Sequence, residues 1–145
     1  MRRALAVVAA LGFVTACGSS SRTATSLPGV TPSVLAKLRA DALATARFNK
    51  DAHPSSVTVY ASRRHEANIA AGAGTGVLGE QPVYLVVLEG NFLASYPSAP
   101  GPRAPERTRF ITMILDRKTL RQLDYGFGGS VNTSTIGSGL QLRLG

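Results

Sequence analysis

The two histidines are the first residues to examine for chemistry, because imidazole binds metals and carries protons near neutral pH. His65 is followed by Glu66, as in the H-E-x-x-H arrangement, in which two histidines one helical turn apart bind zinc. Ile69 stands where the second histidine would be. Only His53 remains, and one cysteine cannot build a cysteine-rich site. The sequence therefore predicts no metal site.

Two further groupings could do chemistry but lack the partners that they need. Asp116 and Asp124 flank a predicted hairpin turn and could form a carboxylate pair, although a solvated turn accounts for both. The serines are numerous, yet no G-x-S-x-G nucleophile elbow occurs. Residues 74–79 read GTGVLG, but a dinucleotide site needs a helix after this motif, and here Pro82 leads into a strand. We predict no catalytic residue and no bound cofactor.

Cys17 is the only cysteine of the chain, and a positively charged start and about a dozen apolar residues precede it. That run is shorter than the roughly 20 residues of a membrane-spanning helix. The stretch Val14-Thr15-Ala16-Cys17 resembles the lipobox of bacterial lipoproteins. The resemblance implies that residues 1–16 are a signal peptide and that the Cys17 sulfur carries a diacylglyceryl group. Two acyl chains would hold the protein on the extracytoplasmic face of the cell membrane; the alternative is an ordinary secretory signal.

The composition after Cys17 is typical of a tether followed by one domain. Residues 18–29 read GSSSRTATSLPG, and a polar coil of about 12 residues spans roughly 20 Å. We therefore predict a lipidated tether over residues 17–30 and a single domain over residues 31–145. Loss of the signal peptide leaves 14 basic and 8 acidic residues, a net charge of about +6. This charge favours anionic lipid head groups and envelope polymers, and no nucleic-acid recognition motif accompanies it.

A proline- and arginine-rich stretch, residues 95–109, is the best surface candidate for binding a partner. Its sequence is SYPSAPGPRAPERTR, and four prolines stiffen it toward the polyproline conformation. Arg103, Arg107 and Arg109 make it basic. It is predicted to form a long connection between two strands, and its arginines are tentative contacts for an envelope protein or an anionic polymer.

The predicted domain begins with one long helix. Thr31 is a plausible N-cap, and Pro32 fits the first helical position, where its missing N–H does no harm. Helical spacing continues to about Phe48. A narrow face of small and aliphatic residues can lie on a sheet; it consists of Leu35, Leu38, Ala42 and Ala46.

Several strands are predicted after the helix. Residues 82–94 are apolar nearly throughout, as expected for a central strand buried on both faces, and Val86 and Leu88 should be fully buried. The other predicted strands are SSVTVYA, RFITMILD, RQLDYGF and a short terminal strand in which Leu140, Leu142 and Leu144 alternate with polar residues. The result is an α+β fold of two layers, with one N-terminal helix packed on an antiparallel sheet of four to five strands.

A helix is followed by strands, and one aliphatic strand turns at Asp116, Lys118 and Thr119 and continues to Leu123. This arrangement resembles the PepSY-type and cystatin-like domains of exported bacterial proteins. Leu120 replaces the glycine that usually completes that turn. The resemblance implies a non-catalytic domain that binds or regulates other envelope proteins.

Two classes of function follow from these observations. The first is a lipid-anchored interaction or ligand-binding module of the cell envelope that is not an enzyme. The alternative is a small envelope hydrolase. A deep pocket that contains His65 or His53 with a carboxylate would favour the hydrolase.

Overall fold

The computed structural model describes residues 26–74, 79–94 and 105–144, which form two helices and five strands. In chain order the elements are α1 (Pro32–Phe48), β1 (Ser56–Arg63), α2 (Arg64–Ala70), β2 (Pro82–Ala94), β3 (Glu106–Asp116), β4 (Gln122–Gly128) and β5 (Leu140–Gln141). The strands form one antiparallel sheet in the order β4-β3-β2-β1-β5. The predicted fold class, a helix packed on an antiparallel sheet, is confirmed.

Helix α1 begins and ends at residues that satisfy its free backbone groups. The Val34 amide donates to the Thr31 hydroxyl at 3.3 Å, so Thr31 is the N-cap, and Pro32 follows it as predicted. At the other end the Asn49 side chain donates to the Thr45 carbonyl at 2.8 Å. Of the four residues predicted to form the narrow face of the helix, Leu35 is only half-buried. The other three are buried: Leu38, Ala42 and Ala46.

Strand β2 is the centre of the sheet, with β1 on one side and β3 on the other. Val86 and Leu88 are 1% and 0% exposed, which confirms the prediction for both. Alternate residues of β2 point to opposite faces of the sheet. Since Val83 and Leu85 are also 0% exposed, β2 is buried on both faces.

The larger core lies between α1 and one face of the sheet, which we call the first face. Its strand residues include Val57 and Val59 of β1 and alternate residues of β2 and β3. Leu27, upstream of the helix, is also buried here, and the Arg117 guanidinium donates to the Pro28 carbonyl at 2.6 Å. The packed part of the chain therefore begins before Thr31.

Helix α2 lies on the opposite face, which we call the second face, and the sequence patterns do not predict it. Glu66 begins it by accepting from the Arg63 amide at 3.3 Å and from the Ser62 hydroxyl at 2.9 Å. Ala67 and Ala70 are buried against β2 and β3. The irregular segment 129–139 contributes buried Ile136 to the same cluster. The expected two layers therefore become three over part of the sheet.

The predicted hairpin between β3 and β4 is confirmed, and its turn depends on Asp116. One carboxylate oxygen, Oδ1, accepts from the Lys118 amide at 3.0 Å and from the Thr119 amide at 2.8 Å. The Thr119 amide, with the hydroxyl of the same residue, lowers the pKa of Asp116 below its ordinary value. Leu120 has a φ of +56°, a conformation that favours glycine, while its side chain packs against the core of the first face.

Candidate functional site

A cleft of about 270 Å³ opens on the second face and is the best candidate for a binding site. Its floor is made of side chains from neighbouring strands. Ser56, Thr58 and Tyr60 come from β1, and Glu89 and Phe110 come from β2 and β3. The register places Ser56 opposite Glu89, and Glu89 opposite Phe110. These side chains therefore form a continuous polar and aromatic surface across three strands.

The alternation in β1 explains why hydroxyls line this floor. Val57 and Val59 point to the first face and are 0% exposed. Thr58 lies between these valines and Tyr60 follows Val59. Both point to the second face and are half-buried. The predicted half-buried strand is confirmed, and its polar side lines the cleft. At the adjacent edge, Gln141 of β5 lies opposite Thr58 and extends the floor.

The segment 129–139 forms the wall of the cleft, with Val131, Thr133 and Gly139 facing it. The Asn132 amide donates to the Ala70 carbonyl of α2 at 2.9 Å, which fixes the segment on the second face. Gly139 is buried so tightly that a Cβ atom there would lie 2.5 Å from a Tyr60 ring carbon and 2.6 Å from the Thr58 methyl. The wall and floor therefore meet without room for a side chain.

An ion pair joins two strands at the rim of the cleft. The Arg109 Nε and Nη2 atoms donate to Oε1 of Glu89 at 2.9 and 2.6 Å. The Arg109 guanidinium also lies 5.2 Å from the centroid of the Phe110 ring. Directly after Glu89 the pairing of β2 with β3 shifts by a bulge. The Glu89 carboxylate, which lines the cleft, is therefore paired with a cation.

A second polar group lies beside α2, next to a smaller cavity of about 130 Å³. Arg64 binds Asp124 with two hydrogen bonds, from Nε at 2.9 Å and from Nη2 at 3.1 Å. The hydrogen bond to Asp124 is the main cause that raises the pKa of Arg64. The Asn68 Nδ2 atom donates to the Arg64 carbonyl at 2.9 Å and lies 3.5 Å from Oδ2 of Asp124. This arrangement holds α2 on the sheet.

The two aspartates that the sequence suggested as a pair have different hydrogen-bond partners. Asp116 binds the amides of its own turn, as a turn residue is expected to do. Asp124 lies within β4 and not in the turn, and it pairs with Arg64 at 2.9 Å. The interpretation of Asp124 as a solvated turn residue is therefore wrong.

The histidines line neither the cleft nor the smaller cavity beside α2. His53 is exposed in the connection after α1, and His65 is half-buried in the first turn of α2. Neither residue lines the 270 Å³ cleft or the 130 Å³ cavity. Among residues 26–74, 79–94 and 105–144, no group of three or more possible metal ligands comes together.

The predicted partner-binding arginines fall in two parts of the chain. Arg107 and Arg109 belong to β3, which begins at Glu106, so the expectation that the connection continues to Arg109 is wrong. The reason is that β3 pairs with the end of β2, with Arg107 opposite Leu93. Arg103 and Cys17 lie outside the described residues.

The hydroxyl-lined cleft is the feature that the sequence analysis did not identify. The alternation of β1 was the available signal, since it places Ser56, Thr58 and Tyr60 on one side. The local pattern does not show that β5 pairs with β1 or that the segment 129–139 lies beside it. Comparisons with protein-family models, curated proteins and solved structures found no match for the chain.

Proposed function

We propose that the protein is a lipid-anchored lipoprotein of the cell envelope and acts as a non-catalytic binding module on the extracytoplasmic face of the cell membrane. The observation that carries this proposal is the lipobox-like sequence ending at Cys17, followed after a short polar segment by a domain with its own core. In this proposal residues 1–16 are the signal peptide and a diacylglyceryl group on Cys17 is the anchor. Within the part of the chain that the structure describes, no helix has the length and apolar character to cross a membrane.

The side chains around the cavities support binding more than catalysis. General acid–base chemistry needs a titratable group placed to exchange a proton with the substrate. Glu89 in the cleft and Asp124 in the smaller cavity each accept hydrogen bonds from an arginine instead. Both histidines lie elsewhere. The alternative, a small envelope hydrolase, therefore has less support.

The positions of Leu27, Pro28 and the exposed basic residues support one orientation of the domain. Leu27 and Pro28 pack near Arg117, at the end of the sheet that contains the turn between β3 and β4. Lys118 and Arg121 are exposed at this end and would be attracted to anionic head groups. We call this the tether end of the domain.

Arg107 lies nine residues along β3 from Asp116, at the opposite end of the sheet. At about 3.3 Å per residue the separation is about 30 Å. In this orientation Arg107 and Arg109 face away from the membrane. We propose this far end as the contact for an envelope protein or an anionic polymer.

The anchor is tested by the substitution Cys17→Ser in the full chain. Serine cannot form the thioether, so we expect loss of radiolabelled palmitate and release from the detergent phase, or accumulation of the uncut precursor. The control Ser19→Ala keeps the cysteine and should be acylated and membrane-bound like the wild type. Acylated, processed Cys17→Ser protein in the detergent phase would refute the lipoprotein assignment.

A further inference from the structure

The polar groups of the cleft are available to a ligand. Within the described residues, the hydroxyls of Thr58, Tyr60 and Thr133 and the side-chain amide of Gln141 form no hydrogen bond with the protein. Ser56 makes one long contact, 3.5 Å from its Oγ to Glu89 Oε2. Hydroxyl and amide groups can both donate and accept. Several unpaired groups of this kind therefore converge on one concave surface.

The charge of the cleft limits what it can bind. Among the described residues that line it, Glu89 alone is charged, and Arg109 neutralises this carboxylate at the rim. The site therefore favours neither an anion nor a cation. An uncharged ligand that offers many hydroxyl groups would match the unpaired donors and acceptors.

The size of the cleft and the apolar part of its surface limit the class of ligand further. The volume, about 270 Å³, lies just below the roughly 300–1,000 Å³ of pockets for larger small-molecule ligands. This is room for a single sugar ring. Phe110, Val87 and Val131 supply an apolar surface on which the C–H side of such a ring can lie.

We propose that the cleft binds a ring of a neutral carbohydrate, with Thr58, Tyr60, Thr133 and Gln141 as its hydrogen-bonding residues. The wall is built in advance, because the Asn132 amide and the buried side chain of Ile136 hold segment 129–139 in place. The ligand therefore meets a formed site and does not need to order it. This proposal assigns a ligand class to the binding function proposed above and rests on it.

The test is a titration of the full chain in detergent micelles with three neutral sugars, maltotriose, cellotriose and chitotriose, followed by amide chemical shifts. We expect at least one sugar to shift the amides of β1, β5 and residues 131–139. Tyr60→Phe and Thr133→Val each remove one hydroxyl and should weaken binding about three- to tenfold. Thr135→Val is the matched control, because Thr135 is exposed in the same segment but does not line the cleft.

The outcomes separate this inference from the function on which it rests. No saturable shift with any of the three sugars at about 10 mM, a concentration that detects millimolar affinity, would overturn the carbohydrate site and leave the membrane anchor intact. Equal affinity of wild type, Tyr60→Phe and Thr133→Val would also overturn it. Cleavage of a bound sugar, seen as new anomeric signals and lost with Tyr60→Phe, would support the site but refute the non-catalytic function.

Discussion

The two faces of the sheet are built differently, although they share the same central strand. On the first face, α1 covers a continuous apolar surface with 17 residues of helix. On the second face, α2 has only seven residues, and the irregular segment 129–139 covers part of what remains. The first face is therefore closed, whereas the second face keeps a cleft.

The difference comes from β1 rather than from β2. Strand β2 presents apolar side chains to both faces over residues 83–88, all of which are buried. Strand β1 presents valines to the first face and Ser56, Thr58 and Tyr60 to the second. One face can therefore supply most of the stability of the domain while the other offers polar groups to a ligand.

The largest expected effect is on the first face. Leu88→Asp or Val86→Asp buries a charge without a partner, which costs several kcal/mol and should unfold a domain of this size. Thermal unfolding followed by circular dichroism measures the effect. The control Gln141→Asp adds the same charge at an exposed position on the second face and should change stability by less than about 1 kcal/mol.

If both Leu88→Asp and Val86→Asp had the wild-type melting temperature, the difference between the two faces of the sheet would be contradicted. It would mean that β2 is not the closed centre of the sheet. A Gln141→Asp variant that unfolds as readily would show instead that the two faces contribute equally.

An intermediate effect is expected where α2 meets the sheet. Arg64→Met keeps an apolar stem but leaves Asp124, with a side chain 28% exposed, without its two arginine hydrogen bonds. We expect a loss of about 1–2 kcal/mol in the free energy of unfolding. Urea unfolding provides the measurement.

The neighbouring arginine is a matched control for this substitution. Arg63 pairs with Glu80, but the two side chains are 59% and 72% exposed, so Arg63→Met should cost less than about 1 kcal/mol. Equal losses for Arg63→Met and Arg64→Met would contradict a specific role for Asp124 in holding α2.

The smallest effect on stability is expected at the far end. Replacing Arg103, Arg107 and Arg109 together by Gln should lower the free energy of unfolding by less than about 1 kcal/mol, because Arg107 is exposed and the Arg109 side chain is 66% exposed even in its pair with Glu89. Binding to poly-glutamate at low salt should weaken, and the difference should fade as salt shortens the screening length. Binding is measured by fluorescence anisotropy.

A triple variant with the same loss of charge tests whether position matters. Arg63, Lys118 and Arg121 are exposed at the tether end, where Arg63 lies opposite Pro82, and their replacement by Gln should weaken binding less. Equal weakening by both triple variants would show that net charge alone attracts the polymer and that the far end is not a specific contact.

Local patterns in the sequence predict much of the fold. Thr31 and Pro32 identify the start of α1, and the apolar run of residues 82–94 coincides with β2. Helix α2 is not predicted because it has only seven residues and its buried apolar side chains, Ala67 and Ala70, are small. Pro105 favours a connection, yet β3 begins at the next residue because Glu106 pairs with Ala94.

The candidate site is harder to predict because its contacts are distant in sequence. Gln141 reaches the cleft only by pairing with Thr58, and Asp124 meets Arg64 across 60 residues. Tertiary packing determines both contacts, and neither leaves a periodic signal. The anchor is the opposite case: the prediction for Cys17 depends on adjacent residues alone and stays a prediction.

The attachment of Leu27 and Pro28 at the tether end also has a mechanical consequence. Leu27 is buried in the core, and the hydrogen bond from Arg117 to Pro28 fixes the chain beside the turn between β3 and β4. With the proposed anchor at Cys17 and the proposed partner at the far end, a force between them would run parallel to the strands. The hydrogen bonds between strands lie across this direction, so they share the load in shear and do not open one after another.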